Sequence, residues 1–476
     1  MAIYYVDQTG GNDGWAGTFA APWKTVAKVN GFALVAGDIV FFKRGEVWRE
    51  KLVVPENGAA GNPITFGAYG SGAKPKILGS TDLALVAWNN EGGNIWYASG
   101  ITTQIGIVVF NNEGSTGVKM AAKVGCVAQG DFWWDDPNDR LYMYSVGTPA
   151  AFYTNIEAGT SGNIVSIGYR SHIIIQDLDV RYSGTHGIAI DGWDHAPHDI
   201  IIQYNSVSYC GGGNAQGNGV QIFSGIVDDC IIRYNKINQI YDSGIAVIQD
   251  GQPSTFTNVS CYYNLISNCE HGIEVGAFDA ATTINGVYIY NNTVYNSGGG
   301  FSHSWRANPY GDGIIYWGMS AGAGLYTDVN IKNNLISNCI YNVLTDVPTR
   351  AGVTVDYNLY YTDGLKFGYA DWPPHSAPEN FADWKTNSGQ DAHSVITNPL
   401  LVSATDYHLQ AGSGAYNAGI NVGLAMDYDK SAVGDPPDIG AYEYTNPRAT
   451  INRPRMNRKG FVPFRTYNKG YHYHGN

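Results

Sequence analysis

Asp242, Asp250, Glu270, Glu274 and Asp312 lie on or beside three glycine-headed runs, SGIAVI, HGIEVG and DGIIYW. Paired carboxyl groups suit acid/base cleavage of an acetal. One, kept protonated, donates to the leaving oxygen, and the other attacks or activates water. Like charges a few ångströms apart raise one pKa, which keeps one member of a pair protonated. Glu274 is the strongest catalytic candidate, because Ile273 and Val275 alternate with it and point it to the other face of its strand. Asp250, Asp242 and Glu270 are its candidate partners, in that order. Asp242 and Glu270 stand in one column one coil apart, with backbones about 5 Å from each other. His271 and Asp312 directly precede the head glycines Gly272 and Gly313, and Gln221 shares the outward position of Glu274. Trp193, Phe223 and Trp317 fall on or beside the same runs. His303, Trp305 and Arg306 lie in the segment 297–313. These nine are the candidate substrate-binding residues, the flat rings suiting the apolar faces of sugars. A calcium ion could sit among Asp242, Glu270 and Glu274; otherwise this chemistry needs no metal or cofactor.

A repeat places these residues. The segments HDIIIQYNSVSYC, DDCIIRYNKINQI, NVSCYYNLISNC, GVYIYNNTVYNS, DVNIKNNLISNC and GVTVDYNLYYTD each put an asparagine at one point: Asn205, Asn235, Asn264, Asn292, Asn334 and Asn358. Apolar residues stand three and five positions before each, and an apolar or aromatic residue stands two after. Period-two alternation broken at one fixed turn, coil after coil, specifies a parallel β-solenoid. The stacked amides would satisfy one another at an inward turn. Cys210, Cys269 and Cys339, each five residues after a ladder asparagine, read as small interior fillers; no metal-binding cysteine pair is present. The segment 297–313 lengthens one coil and would roof a groove over the strands that begin at Gly219, Gly244, Gly272 and Gly313.

The opening, YYVDQTGGNDGWAGTFAAPWKTVAKVN with GDIVFFKRGEVWRE and NPITFGAYGSGAKPKI, resembles the N-terminal cap and first coils of right-handed parallel β-helix proteins of the pectate-lyase-like superfamily. NPLLVSATDYHLQAGSGAYNAG through PPDIGAYEY resembles their C-terminal end. The resemblance implies an all-β, right-handed parallel β-helix over nearly all of residues 1–445. Residues 1–83 would be the cap and first coils, 84–160 an inserted β-rich subdomain, 161–445 the main helix and 446–476 a basic tail. The superfamily holds hydrolases, lyases, epimerases and tailspikes, so fold alone does not choose the chemistry. Its β-xylosidases use an Asp and a Glu slightly over twenty residues apart, and Asp250 and Glu274 are similar in spacing.

Composition narrows the partners. Seven of the 28 basic residues and none of the 41 acidic ones follow residue 445, which leaves the body 21 against 41, a net of −20. Such a body repels nucleic acid. No apolar run reaches the ~18–20 residues of a membrane helix. The start carries no secretory signal, although an extracellular or virion-associated place suits a polysaccharide-binding chain. The expected function is a carbohydrate-active enzyme hydrolysing glycosidic bonds in a polysaccharide or oligosaccharide. The alternatives are a polysaccharide lyase acting on a uronate, calcium-assisted or not, and a tailspike-like glycan binder. Oligomeric state is not encoded in any motif here.

Overall fold

A computed structural model describes residues 1–213, 216–249, 251–305, 310–318, 324–346, 351–362, 366–369 and 379–445, with the side chains of 302–304 and 369 left aside. Asp250, Arg306, the His303 side chain and the basic tail therefore lie outside the described residues.

Two long parallel sheets run the length of the molecule. Ten strands, from Ile3–Val6 to Val353–Asp356, form one of them, each hydrogen-bonded to its counterpart one coil away. The second has 17 strands, among them Ile188–Asp191, Val220–Phe223, Lys236–Ile248, Leu265–Gly276 and Asp312–Trp317. The chain is all-β, a right-handed parallel β-helix. The repeat read from sequence is its coil: Ile200, Cys230, Val259, Val287 and Val329 pair in register, as do Ile202, Ile232, Cys261, Ile289 and Ile331. All ten side chains are buried in one continuous core.

The asparagines stack as their spacing requires. Asn235 Nδ2 donates to Asn264 Oδ1 at 3.0 Å, Asn264 Nδ2 to Asn292 Oδ1 at 3.0 Å, and the series runs from Asn205 to Asn358. The same Oδ1 atoms accept the backbone N–H of the preceding asparagine, as from Asn235 N at 3.1 Å and Asn264 N at 3.0 Å. The residue just before each is left-handed: Tyr204, Tyr234, Tyr263, Asn291, Asn333 and Tyr357 have φ between 51° and 58°. That conformation is unfavourable for tyrosine. The following amide offsets it by bridging its own turn, as Asn235 Nδ2 does to Arg233 O at 3.0 Å. Cys210, Ile240 and Cys269 are in register, and Cys210, Cys269 and Cys339 are all buried free thiols.

Residues 80–160 leave the coil. They build two four-stranded antiparallel sheets, one of Ser80–Asp82, Ile105–Phe110, Ser115–Thr116 and Ile156–Thr160, the other of Trp88–Gly92, Ile95–Ser99, Phe132–Asp135 and Arg140–Tyr144. Ile107 and Val109 pack on Tyr182, Tyr209 and Tyr241 of the solenoid. The short helix Gly300–Trp305 joins them there.

Candidate functional site

Glycine geometry sets the floor of the site. A Cβ on Gly244 would lie 2.7 Å from Gly272 O, and one on Gly272 would lie 2.3 Å from Gly313 O and 2.4 Å from Val294 Cγ1. Only glycine lets successive coils close up here. The residue before each glycine is thereby stacked into a second polar column. Ser243 pairs with His271, and His271 with Asp312. Asn218 N–H donates to His186 Nδ1 at 2.9 Å, and Ser243 N–H to Asn218 Oδ1 at 3.0 Å, which extends the column in the other direction.

Strand alternation delivers Glu274 to the same place. Ile273 and Val275 enter the core, whereas Glu274 pairs with Ala246 on one coil and Ile315 on the next. One carboxylate oxygen accepts from Ser243 Oγ, and Oε1 accepts from Trp317 Nε1 at 2.9 Å. Glu274 is nevertheless 95% buried, its residue exposure being 5%. Burial pushes its carboxyl above the ordinary glutamate range. His271 pulls it back, Asp242 raises it further, and the Ser243 and Trp317 donors lower it; the balance is upward.

Two imidazoles of the pre-glycine column take different charge states. His186 is half-buried, its Nδ1 already accepts a backbone N–H, and desolvation lowers its pKa to about 4, so it is neutral at pH 7. Burial works against charge on His271 too, but its Nδ1 lies 2.7 Å from Asp312 Oδ2, and Asp312, Glu274 and Asp242 together lift it to about 9. His271 Nε2 is 3.9 Å from Asp242 Oδ1. An imidazolium thus stands among Asp242, Glu274 and Asp312.

The register places Asp242 and Glu270 differently from the sequence expectation of a shared column. Ile240 pairs with Cys269 but Ser243 pairs with His271, so two residues, Tyr241 and Asp242, face the single residue Glu270. This is a β-bulge, a device that re-aims side chains. Asp242 is turned toward His271, while buried Glu270 accepts the Tyr310 N–H at 2.5 Å. The bulge gives the two acids different neighbours.

The remaining candidates are distributed along this face. Gln221 is buried and accepts from Asn218 Nδ2 at 2.7 Å, so it braces the polar column. Trp317 is buried and oriented by its bond to Glu274, which makes it a positioning group and leaves its face packed near Phe278. Trp305 is a packing residue: its ring meets Phe132, Tyr241 and Phe301, and its Nε1 donates to Gly117 O at 3.1 Å. Trp193 is 56% exposed and meets Phe223 edge-on at 5.6 Å, an open aromatic pair beside the floor. Ser243, Asn218 and His186 are not among the candidate site residues expected from sequence. Their signal was their position directly before a ladder glycine. Among the described residues, the group of three potential ligands whose atoms lie within 4.8 Å of one another is His172, His198 and Asp199, not the carboxylates suggested for calcium.

No family model and no curated protein sequence matches the chain. Solved structures do. One described as the complex of XylC with xylose aligns at 13% identity with a TM-score of 0.51, covering 92% of this chain and 98% of that one. A second, described as a glycoside hydrolase, aligns at 11% identity with a TM-score of 0.52 over 77% of this chain and 88% of its own. The pectate lyase Pel9A aligns at 12% identity with a TM-score of 0.43, over 94% and 97%. No helix of the described residues is long and apolar enough to cross a membrane. In architecture the chain is a right-handed parallel β-helix protein.

Proposed function

We propose that this chain hydrolyses glycosidic bonds, with Glu274 as the proton donor to the leaving oxygen and Asp242 as the ionised partner. The observation that carries the reading is the buried Glu274 carboxyl, held above its ordinary pKa yet fixed by Ser243 and Trp317. A general acid must hold its proton near working pH and hold its position; burial supplies the first need and the two contacts supply the second. Asp242 is the more exposed acid, its side chain at 20%, and its Oδ1 lies 3.9 Å from His271 Nε2. His271, held by Asp312, would stabilise the ionised state of Asp242 and of Glu274 after proton transfer. The Trp193–Phe223 pair would receive a sugar ring beyond the reacting bond.

Elimination from a uronate is the second reading. It would require a deprotonated base at the carbon bearing the acidic proton, whereas His271 stays protonated until about pH 9 and engages Asp312. The carboxylates around it suit a neutral glycan better than a polyanion. An extracellular or virion-associated setting would fit that substrate.

The test is product analysis on neutral and uronic oligosaccharides. Hydrolysis releases reducing ends with no rise in ultraviolet absorbance from an unsaturated uronate; a rise would establish a lyase. In the hydrolase reading Glu274→Gln lowers turnover about 100-fold or more. Near-wild-type turnover by a folded E274Q would refute the assignment.

A further inference from the structure

We propose that His172, His198 and Asp199, on the ten-stranded sheet, form a binding site for a divalent transition-metal ion of the zinc class. His172 Nδ1 lies 3.0 Å from Asp199 Oδ2, and His198 Nδ1 lies 2.9 Å from the same oxygen. The imidazole rings meet edge to face at 4.6 Å. Two aromatic nitrogens and a carboxylate oxygen therefore converge on one point. Zinc bonds of about 2.0–2.2 Å in a tetrahedral arrangement put neighbouring ligand atoms about 3.3 Å apart, near the two separations above, and all three ligand atoms lie within 4.8 Å of one another. Imidazole donors favour zinc, nickel or copper over calcium or magnesium.

The solenoid gives a second reason. His172 and Asp199 occupy a left-handed turn position that recurs in later coils as Asp229, Asn258, Gly286 and Asp328, with φ between 50° and 70° throughout. Asp, Asn, Gly and, less often, His are the ordinary occupants of such a turn. The later coils carry no histidine there, and turn geometry does not require an imidazole. His172 and Asp199 also line a concavity of about 800 Å³, bordered by residues 59–61 and Pro63 and floored by Ile174, Ile201 and Ile231. Asp229, one coil on, lines the same concavity. This concavity does not include Glu274 or its partners, so the metal site is independent of the proposed hydrolytic one.

The experiment is titration of the metal-free full-length chain with zinc by calorimetry and with cobalt by visible absorption. The wild type is expected to take up one ion here, with the intense absorption of tetrahedral cobalt. His172→Asn and Asp199→Asn restore residues that suit the turn and should fold. Each is expected to weaken binding beyond the roughly 10–100-fold that loss of an outer-shell partner costs. Glu274→Gln is expected to bind zinc like wild type, which separates this proposal from the hydrolytic one. Uptake that persists at full strength in both H172N and D199N would place the ion elsewhere and overturn the proposal, as would no stoichiometric uptake by wild type. If H172N does not fold, His198→Gln carries the same test, since that side chain is 43% exposed.

Discussion

His271 and Asp312, in register on adjacent coils, are joined across 2.7 Å with both side chains buried, and this contact fixes the charge at the centre of the candidate site. The His271 pKa in the folded chain is about 9, above the ~6.5 of an unfolded histidine. The stabilisation is therefore complete below pH ~6.5 and is lost as pH rises through 9, a change of roughly 3 kcal/mol from this group. Asp312→Asn should destabilise the protein most at pH 6 and much less at pH 10. Urea unfolding at the two pH values measures the difference, and an equal loss at both would show that His271 is not the charged partner.

Trp317 controls the acid through one bond. Its Nε1–H stabilises ionised Glu274, so Trp317→Phe should raise the Glu274 pKa further. With Glu274 as general acid, the alkaline limb of the kcat/KM profile would move up by about one pH unit, since a hydrogen bond to a charged group contributes about 1.5–3 kcal/mol. A purely packing role would lower activity at all pH values without moving the limb.

The asparagine ladder predicts a stability gradient. Asn264 accepts from the N–H and Nδ2 of Asn235 and donates to Ile232 O and Asn292 Oδ1. Asn264→Ala would strand several buried groups and cost about 4 kcal/mol, from roughly 1–3 for each unsatisfied group with partial relaxation. Asn358 closes the ladder, its N–H donating to Ser394 Oγ at 2.8 Å, and its replacement should cost less. Denaturant midpoints of the two variants test the order.

All six cysteines are buried, and burial pushes the Cys210 and Cys261 thiols up to about 12. A thiol reagent should label none of them rapidly in the native protein at pH 8 and all six in denaturant. Rapid native labelling of Cys210, Cys269 and Cys339 would contradict their place in the core column.

Some of this was written in the sequence because a solenoid turns three-dimensional neighbours into a linear period. Asn205 through Asn358 recur at nearly fixed steps, and the apolar residues three and five before them define the core columns without knowledge of distant contacts. Alternation about Gly272 likewise put Glu274 on the outer side of its strand, since side-chain direction there depends only on parity.

Tertiary structure decided what parity cannot. The slip in register between Ile240 and Ser243 turned Asp242 toward His271 and left Glu270 to Tyr310, and no local pattern announces a bulge that depends on the facing coil. Trp305 read as a sugar platform until the inserted sheets covered it, a contact with Gly117 and Phe132 almost two hundred residues away. The different charge states of His186 and His271 also required the fold. Both precede a glycine in the sequence, but the Asp312 carboxylate makes one a cation, while desolvation and a donated backbone N–H keep the other neutral.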